Sequence, residues 1–143
     1  MKFLKRLSKK TKQFLNFENL DIVINNNKFN LEIEIKNAID YLEIDEKTMK
    51  NFMFEYLNLI QQFEINLIQK KNLDYKIYLG LRQLKITTYN LKLETIGNEL
   101  KILESKIYRI LKHDTNQIIN NNEILDLLNK ISFNILKIYN LKR

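Results

Sequence analysis

The 143-residue sequence contains no Cys, no Pro and no Trp, only two Gly and a single His. Without Cys there is no disulfide, no thiolate nucleophile and no Cys-ligated zinc, and such usage fits a reducing compartment. One His cannot form a His-based metal pair, and Asp114 beside His113 does not complete a ligand set. The lack of Pro and the scarcity of Gly remove the usual punctuation of a compact many-element fold and point instead to long uninterrupted helices. Gly80 and Gly97 each stand alone in a helical stretch, so no phosphate-cradling loop is present. No apolar run reaches the ~18 to 20 residues that span a bilayer. The basic start (Lys2, Lys5, Arg6, Lys9, Lys10) is not followed by the core of a signal peptide. A cytoplasmic protein is therefore expected.

Asn, Ile and Lys each occur about 20 times, a bias of composition that blunts single-residue propensities. The net charge of +7 suits an acidic partner, whether anionic lipid, nucleic acid or an acidic protein surface. Only residues 2–12 cluster that charge; later Lys and Arg alternate with Glu and Asp, as on a solvated helix face. Paired carboxylates such as Glu32 with Glu34, or Asp45 with Glu46, read as surface charges rather than as general acid and base. Arg109 and His113 stand four apart, closer than in the Arg-to-His motif of small helical ribonucleases. His113 reads instead as a helix-terminal residue favourable to the dipole. The Tyr and Phe residues fall largely on apolar stripes, as core residues and not as a stacking platform.

From Tyr75 onward, apolar residues recur at four-three spacing through Leu79, Ile86, Tyr89, Leu93, Ile96, Leu100, Leu103, Ile107 and Ile110, interrupted only by Arg82. Such a stripe is a coiled-coil seam and needs a second helix along its length. A second stripe upstream uses Met53, Tyr56, Ile60, Phe63 and Leu67. The two slip out of phase near Lys70 to Asn72, and with no Gly or Pro between them the slip reads as a stutter in one continuous helix. Residues 20–36 allow two readings. Alternation around Asn25-Asn26-Asn27-Lys28 signals a hairpin, while Ile24, Lys28, Leu31, Ile35, Ala38 and Leu42 fit a helix. Glu43 to Lys47 breaks the stripe and is the best place for a turn, and Ile124, Leu128, Ile131, Ile135 and Ile138 mark a short amphipathic helix near the end.

Three stretches resemble the FliJ family of flagellar export proteins: Leu4-Lys5-Arg6-Leu7, then Ile39-Asp40-Tyr41, then Tyr56 to Glu64 with Leu67 to Gln69. The resemblance covers about half the chain. The interhelical turn is shorter here, Trp is absent, and residues 115–143 match nothing in the family's pattern. If the resemblance holds, residues 17–42 are helical rather than a hairpin. It implies a non-enzymatic stalk and chaperone-escort component of the flagellar type III export apparatus. The partners would be the hexameric export ATPase, the cytoplasmic domain of the export gate and export chaperones. Contact with the cytoplasmic face of the inner membrane would be peripheral, and nucleic acid is not expected. Tyr41, Leu59 and Phe63 keep the apolar or aromatic character of the family's gate-facing positions, and Lys5 and Arg6 would contact an acidic collar; Glu34, Ala38, Asp45, Asn66 and Lys70 depart from the pattern.

The expected fold is all-α: an antiparallel two-helix coiled coil with a long second helix and a short C-terminal helix, all in one domain of residues 1–143. Its parts are a helix over about 3–42, a turn at 43–47, a long helix over 48–112, a loop at 113–122 and a helix over 123–140. No catalytic residue, metal site or cofactor is expected. The alternatives are a generic coiled-coil adaptor and a small basic nucleic-acid-binding protein.

Overall fold

The computed structural model describes residues 21–24, 27–70, 73–113 and 121–139, so Lys5, Arg6 and the basic segment 2–12 lie outside the described residues. A two-stranded hairpin, β1 (Asp21–Ile24) and β2 (Asn27–Asn30), leads into five helices: α1 (Leu31–Leu42), α2 (Glu46–Gln69), α3 (Tyr75–Asn90), α4 (Glu94–His113) and α5 (Asn121–Ile138). The strands pair antiparallel, Asp21 opposite Asn30 and Ile24 opposite Asn27. Of the two readings open for residues 20–36, each describes a part. The alternating residues up to Asn30 form the hairpin, while Leu31, Ile35 and Ala38 form the buried stripe of α1. The change falls at Asn30, whose side-chain Oδ1 accepts the Ile33 N–H at 3.2 Å and so caps α1. A continuous helix over 17–42, as the family resemblance implied, is thereby overturned.

The long helix expected over 48–112 is also overturned: the chain is broken after Gln69 and again at Leu91–Leu93. At the first break Lys70 N–H closes on Leu67 O at 3.3 Å, and Asp74 opens α3 by accepting the Ile77 N–H at 2.9 Å. The phase slip near Lys70 is thus a reversal and not a stutter. The second break is a Schellman motif, in which Lys92 N–H bonds Tyr89 O at 2.9 Å and Leu93 N–H bonds Thr88 O at 3.2 Å. Lys92 takes the left-handed position (φ 62°) that glycine usually fills, and Leu93 behind it is fully buried. The end of α1 repeats the device. Glu43 has φ 55° and bonds Asp40 O, while Ile44 bonds Ile39 O. Asp45 then caps α2, its Oδ1 accepting the Thr48 N–H at 2.6 Å, and hydrogen bonds from the Thr48 side chain and then its backbone hold the carboxyl below the usual carboxylate range.

Successive reversals make α2, α3 and α4 antiparallel neighbours, with α5 against α2 and β1 against α5. Tyr56 on α2 donates its hydroxyl to Thr88 Oγ1 on α3 (2.6 Å), and Thr88 passes its own proton to Leu84 O (2.6 Å). The Tyr139 ring meets Phe54 edge-on at 6.3 Å, just beyond α5. At α4, where Leu93 offers no capping oxygen, Glu34 of α1 supplies one by accepting the Thr95 N–H at 3.2 Å. The core is one apolar cluster in which Leu31, Met49, Met53, Ile60, Leu67, Leu81, Leu100, Ile107, Leu128 and Ile131 are buried. Each such side chain contributes about 1.5–3 kcal/mol relative to exposure. Close approach of the helices depends on two glycines: a Cβ at Gly80 would lie 2.9 Å from the Phe63 ring, and one at Gly97 would lie 2.6 Å from the Tyr89 ring.

Among the described residues, five helices packed as a bundle replace the expected antiparallel two-helix coiled coil. With the rod goes the identification it carried. The likeness to the FliJ family does not extend to the fold, and a stalk and chaperone-escort role in flagellar export, which needs an elongated coiled coil, is withdrawn.

Candidate functional site

The residues expected to bind a partner do not gather in one place. Tyr41 is 71% exposed at the end of α1, with the Lys92 ammonium 4.8 Å above its ring. Leu59 is half-buried against the core, and Phe63 is buried against Gly80 as a packing residue of the α2–α3 contact.

A different surface stands out, on the outward side of the α3–α4 hairpin. α3 buries Ile77, Tyr78, Leu81, Leu84 and Thr88. Its opposite face therefore carries Tyr75, Leu79, Arg82 and Ile86, at spacings of four, three and four. The three apolar members are 60%, 44% and 47% exposed. Leu93 just before α4 and Ile96, Leu100, Leu103 and Ile107 on it turn inward, which leaves Lys101, Ser105, Tyr108, Arg109 and Lys112 on the outside. The residues with which the seam began on α3 are thus exposed, whereas its α4 half is buried as a seam should be.

Three contacts stitch the outer edge of the hairpin. Lys85 pairs with Glu104, both largely buried, so the carboxylate is neutralised in place. The Tyr89 hydroxyl donates to Asn98 Oδ1 at 2.7 Å. Tyr78 bridges two other rings, stacked on Tyr75 at 5.4 Å and tilted against Tyr108 at 5.6 Å, and the Lys112 ammonium stands 5.9 Å above Tyr108. Between the helices lies an open hollow of about 340 Å³ lined by Tyr78, Glu104, Ser105, Tyr108 and Arg109.

The electrostatics of this face are mainly cationic, with Glu94 as an exposed acid at the start of α4. Arg82, Lys101, Arg109 and Lys112 are exposed, and none has a carboxylate partner among the described residues. Glu104 is the carboxylate in the hollow, and Lys85 already holds it. A second hollow of about 210 Å³ between α4 and α5 differs in kind, since Glu99, Lys106, Glu123, Asp126 and Lys130 give it mixed charge.

For bond chemistry the α3–α4 hollow offers little: Ser105 has no His beside it, and Glu104 is committed to an ion pair. Among the described residues no group of three His, Cys, Asp or Glu side chains could hold a metal ion. Nor is any described helix long and apolar enough to cross a membrane. Sequence reasoning passed over this face because Tyr75, Leu79 and Ile86 continue the four-three spacing of the seam. The signal that separates them is Arg82, a charge inside that stripe, which marks the stripe as facing outward. Comparison with protein-family models, curated protein sequences and solved structures gave no match.

Proposed function

We propose that this protein is a non-enzymatic docking module that binds a partner protein through the outward face of the α3–α4 hairpin. One observation supports the reading: Tyr75, Leu79, Ile86 and Tyr108 are exposed together, with Arg82 among them and Lys101, Arg109 and Lys112 beside them on α4, four cations that lack a carboxylate within the described residues. Exposed apolar side chains rimmed by charge of one sign are the make-up of a protein-binding surface. A cytoplasmic setting suits a chain without Cys.

The test compares three baits: the unaltered protein, a face variant (Leu79→Ser with Arg109→Glu) and a control altered on α1 (Ile33→Ser). Both variants change exposed positions and are expected to keep stability within about 0.5 kcal/mol. A partner retained by the unaltered and control baits and lost from the face variant supports the reading. Equal capture by all three contradicts it.

A further inference from the structure

We infer that the occupant of this face is an amphipathic α-helix with acidic residues on both flanks of its apolar stripe. The inference rests on the docking reading above and adds the shape and charge of the partner.

Shape comes first. The exposed row from Tyr75 to Ile86 covers twelve residues, a rise of about 16 Å or three helical turns. It lies along the open side of two antiparallel helices whose inner groove is already filled by the core. A helix laid there meets the row with its own residues at four-three spacing, as in helix-in-groove recognition. An extended strand would gain less, because the backbone donors in the bodies of α3 and α4 are already used within each helix. The hollow between Tyr78 and Tyr108 then receives one large side chain of the incoming helix.

Charge decides the flanks. Arg82 lies on the α3 side, and Lys101, Arg109 and Lys112 lie on the α4 side. With Glu104 held by Lys85, carboxylates arriving beside Arg82, Lys101, Arg109 and Lys112 meet cations, and the exposed acid on this side, Glu94, stands at the far end of α4 from Arg109 and Lys112.

Two features weigh against nucleic acid as the occupant. Tyr75 and Tyr108 both pack against the buried Tyr78 and Lys112 stands over Tyr108, so the rings form one cluster and not a row of separate platforms for successive bases. The described residues also carry as many Asp and Glu as Lys and Arg, so the charge of +7 belongs to the remaining sequence, chiefly residues 2–12, and the field at this face is local.

The experiment uses the full chain and four fluorescent or scattering probes. These are a helical peptide of about 20 residues with a Leu stripe and Glu flanks, the same peptide with Lys flanks, an oligo(dT) of similar length, and vesicles containing phosphatidylglycerol. The expected result is binding of the Glu-flanked helix about tenfold or more tighter than the Lys-flanked one, weakening as salt rises. Arg82→Glu with Arg109→Glu is expected to weaken it by about tenfold, whereas Lys5→Glu with Arg6→Glu leaves it within about twofold. Equal affinity for the two peptides overturns the inference. So does a loss of affinity that follows Lys5 and Arg6 rather than Arg82 and Arg109, or a preference for oligo(dT) or vesicles that the face variant abolishes. If the face variant loses its partner in the bait comparison while the Glu-flanked helix fails to bind, docking stands and the acidic helix falls.

Discussion

Helix α5 and the outer side of α3 depart from the usual inside-outside pattern in opposite directions. From Leu127 to Leu136 every residue of α5 but the half-buried Lys130 is buried, and this places Asn129, Ser132 and Asn134 inside. α3 shows solvent a row of Tyr, Leu and Ile. Polar groups inside cost free energy unless they find partners, and apolar groups outside forgo the gain of burial. The first departure sits within the stabilising body of the molecule. The second sits where a partner can relieve it.

The comparison breaks most sharply if truncations at the two places cost the same. Leu128→Ala in α5, at a fully buried position, is expected to destabilise by about 2–5 kcal/mol in urea denaturation, while Leu79→Ala on the outer face of α3 stays within about 0.5 kcal/mol.

A smaller effect comes from the polar seam beside α5. Phe54, Leu57, Gln61 and Glu64 follow one edge of α2, and the Phe54–Tyr139 contact places the start of that edge beside the end of α5. Glu64 Oε1 and Asn129 Oδ1 are buried acceptors without a hydrogen-bond partner. Burial pushes the Glu64 carboxyl up from 4.5 to about 7. The folded state thus holds its proton where the unfolded state has released it. Stability is full below the unfolded value and declines as pH rises from about 4.5 to about 7, then levels off. Glu64→Gln is expected to flatten that decline and to stabilise the protein at pH 8 by roughly 2 kcal/mol, measured as the difference between denaturation curves at pH 5 and pH 8.

Thr88→Val removes the acceptor of the buried Tyr56 hydroxyl and is expected to cost about 1–3 kcal/mol. Adding Tyr56→Phe should recover much of that, a coupling that a double-mutant cycle reads directly. Burial also raises the Tyr56 pKa, so its hydroxyl remains a donor throughout the accessible pH range. The smallest effects belong to the two left-handed positions. Glu43→Gly and Lys92→Gly are each expected to stabilise by up to about 1 kcal/mol, seen as a rise in Tm of a few degrees.

These turns also explain what the sequence could and could not convey. Helical periodicity was legible: the stripe Met53, Tyr56, Ile60, Phe63 and Leu67 is buried, as is the run from Leu93 to Ile107. The reversal after α3 was not, because its Schellman motif places a charged residue, Lys92, where glycine normally announces the end of a helix. The break after Gln69 rests on Asp74, a cap that looks like any other surface Asp when read in isolation. The docking face was hidden for a related reason. Four-three spacing records that residues share a side of a helix, but not whether that side meets another helix or solvent, and Tyr75, Leu79 and Ile86 follow the same spacing as Leu93 and Ile96. Two helices doubled back on each other produce both outcomes from one pattern.

The face exists only if α3 and α4 lie side by side, and the absence of native Cys allows a clean distance measurement. Spin labels on Leu79→Cys and Arg109→Cys, read by pulsed electron resonance, are predicted to lie within about 20 Å of each other, as antiparallel neighbours must. A separation near 45 Å, about that of thirty residues along one uninterrupted helix, would contradict the hairpin and remove the surface built on it.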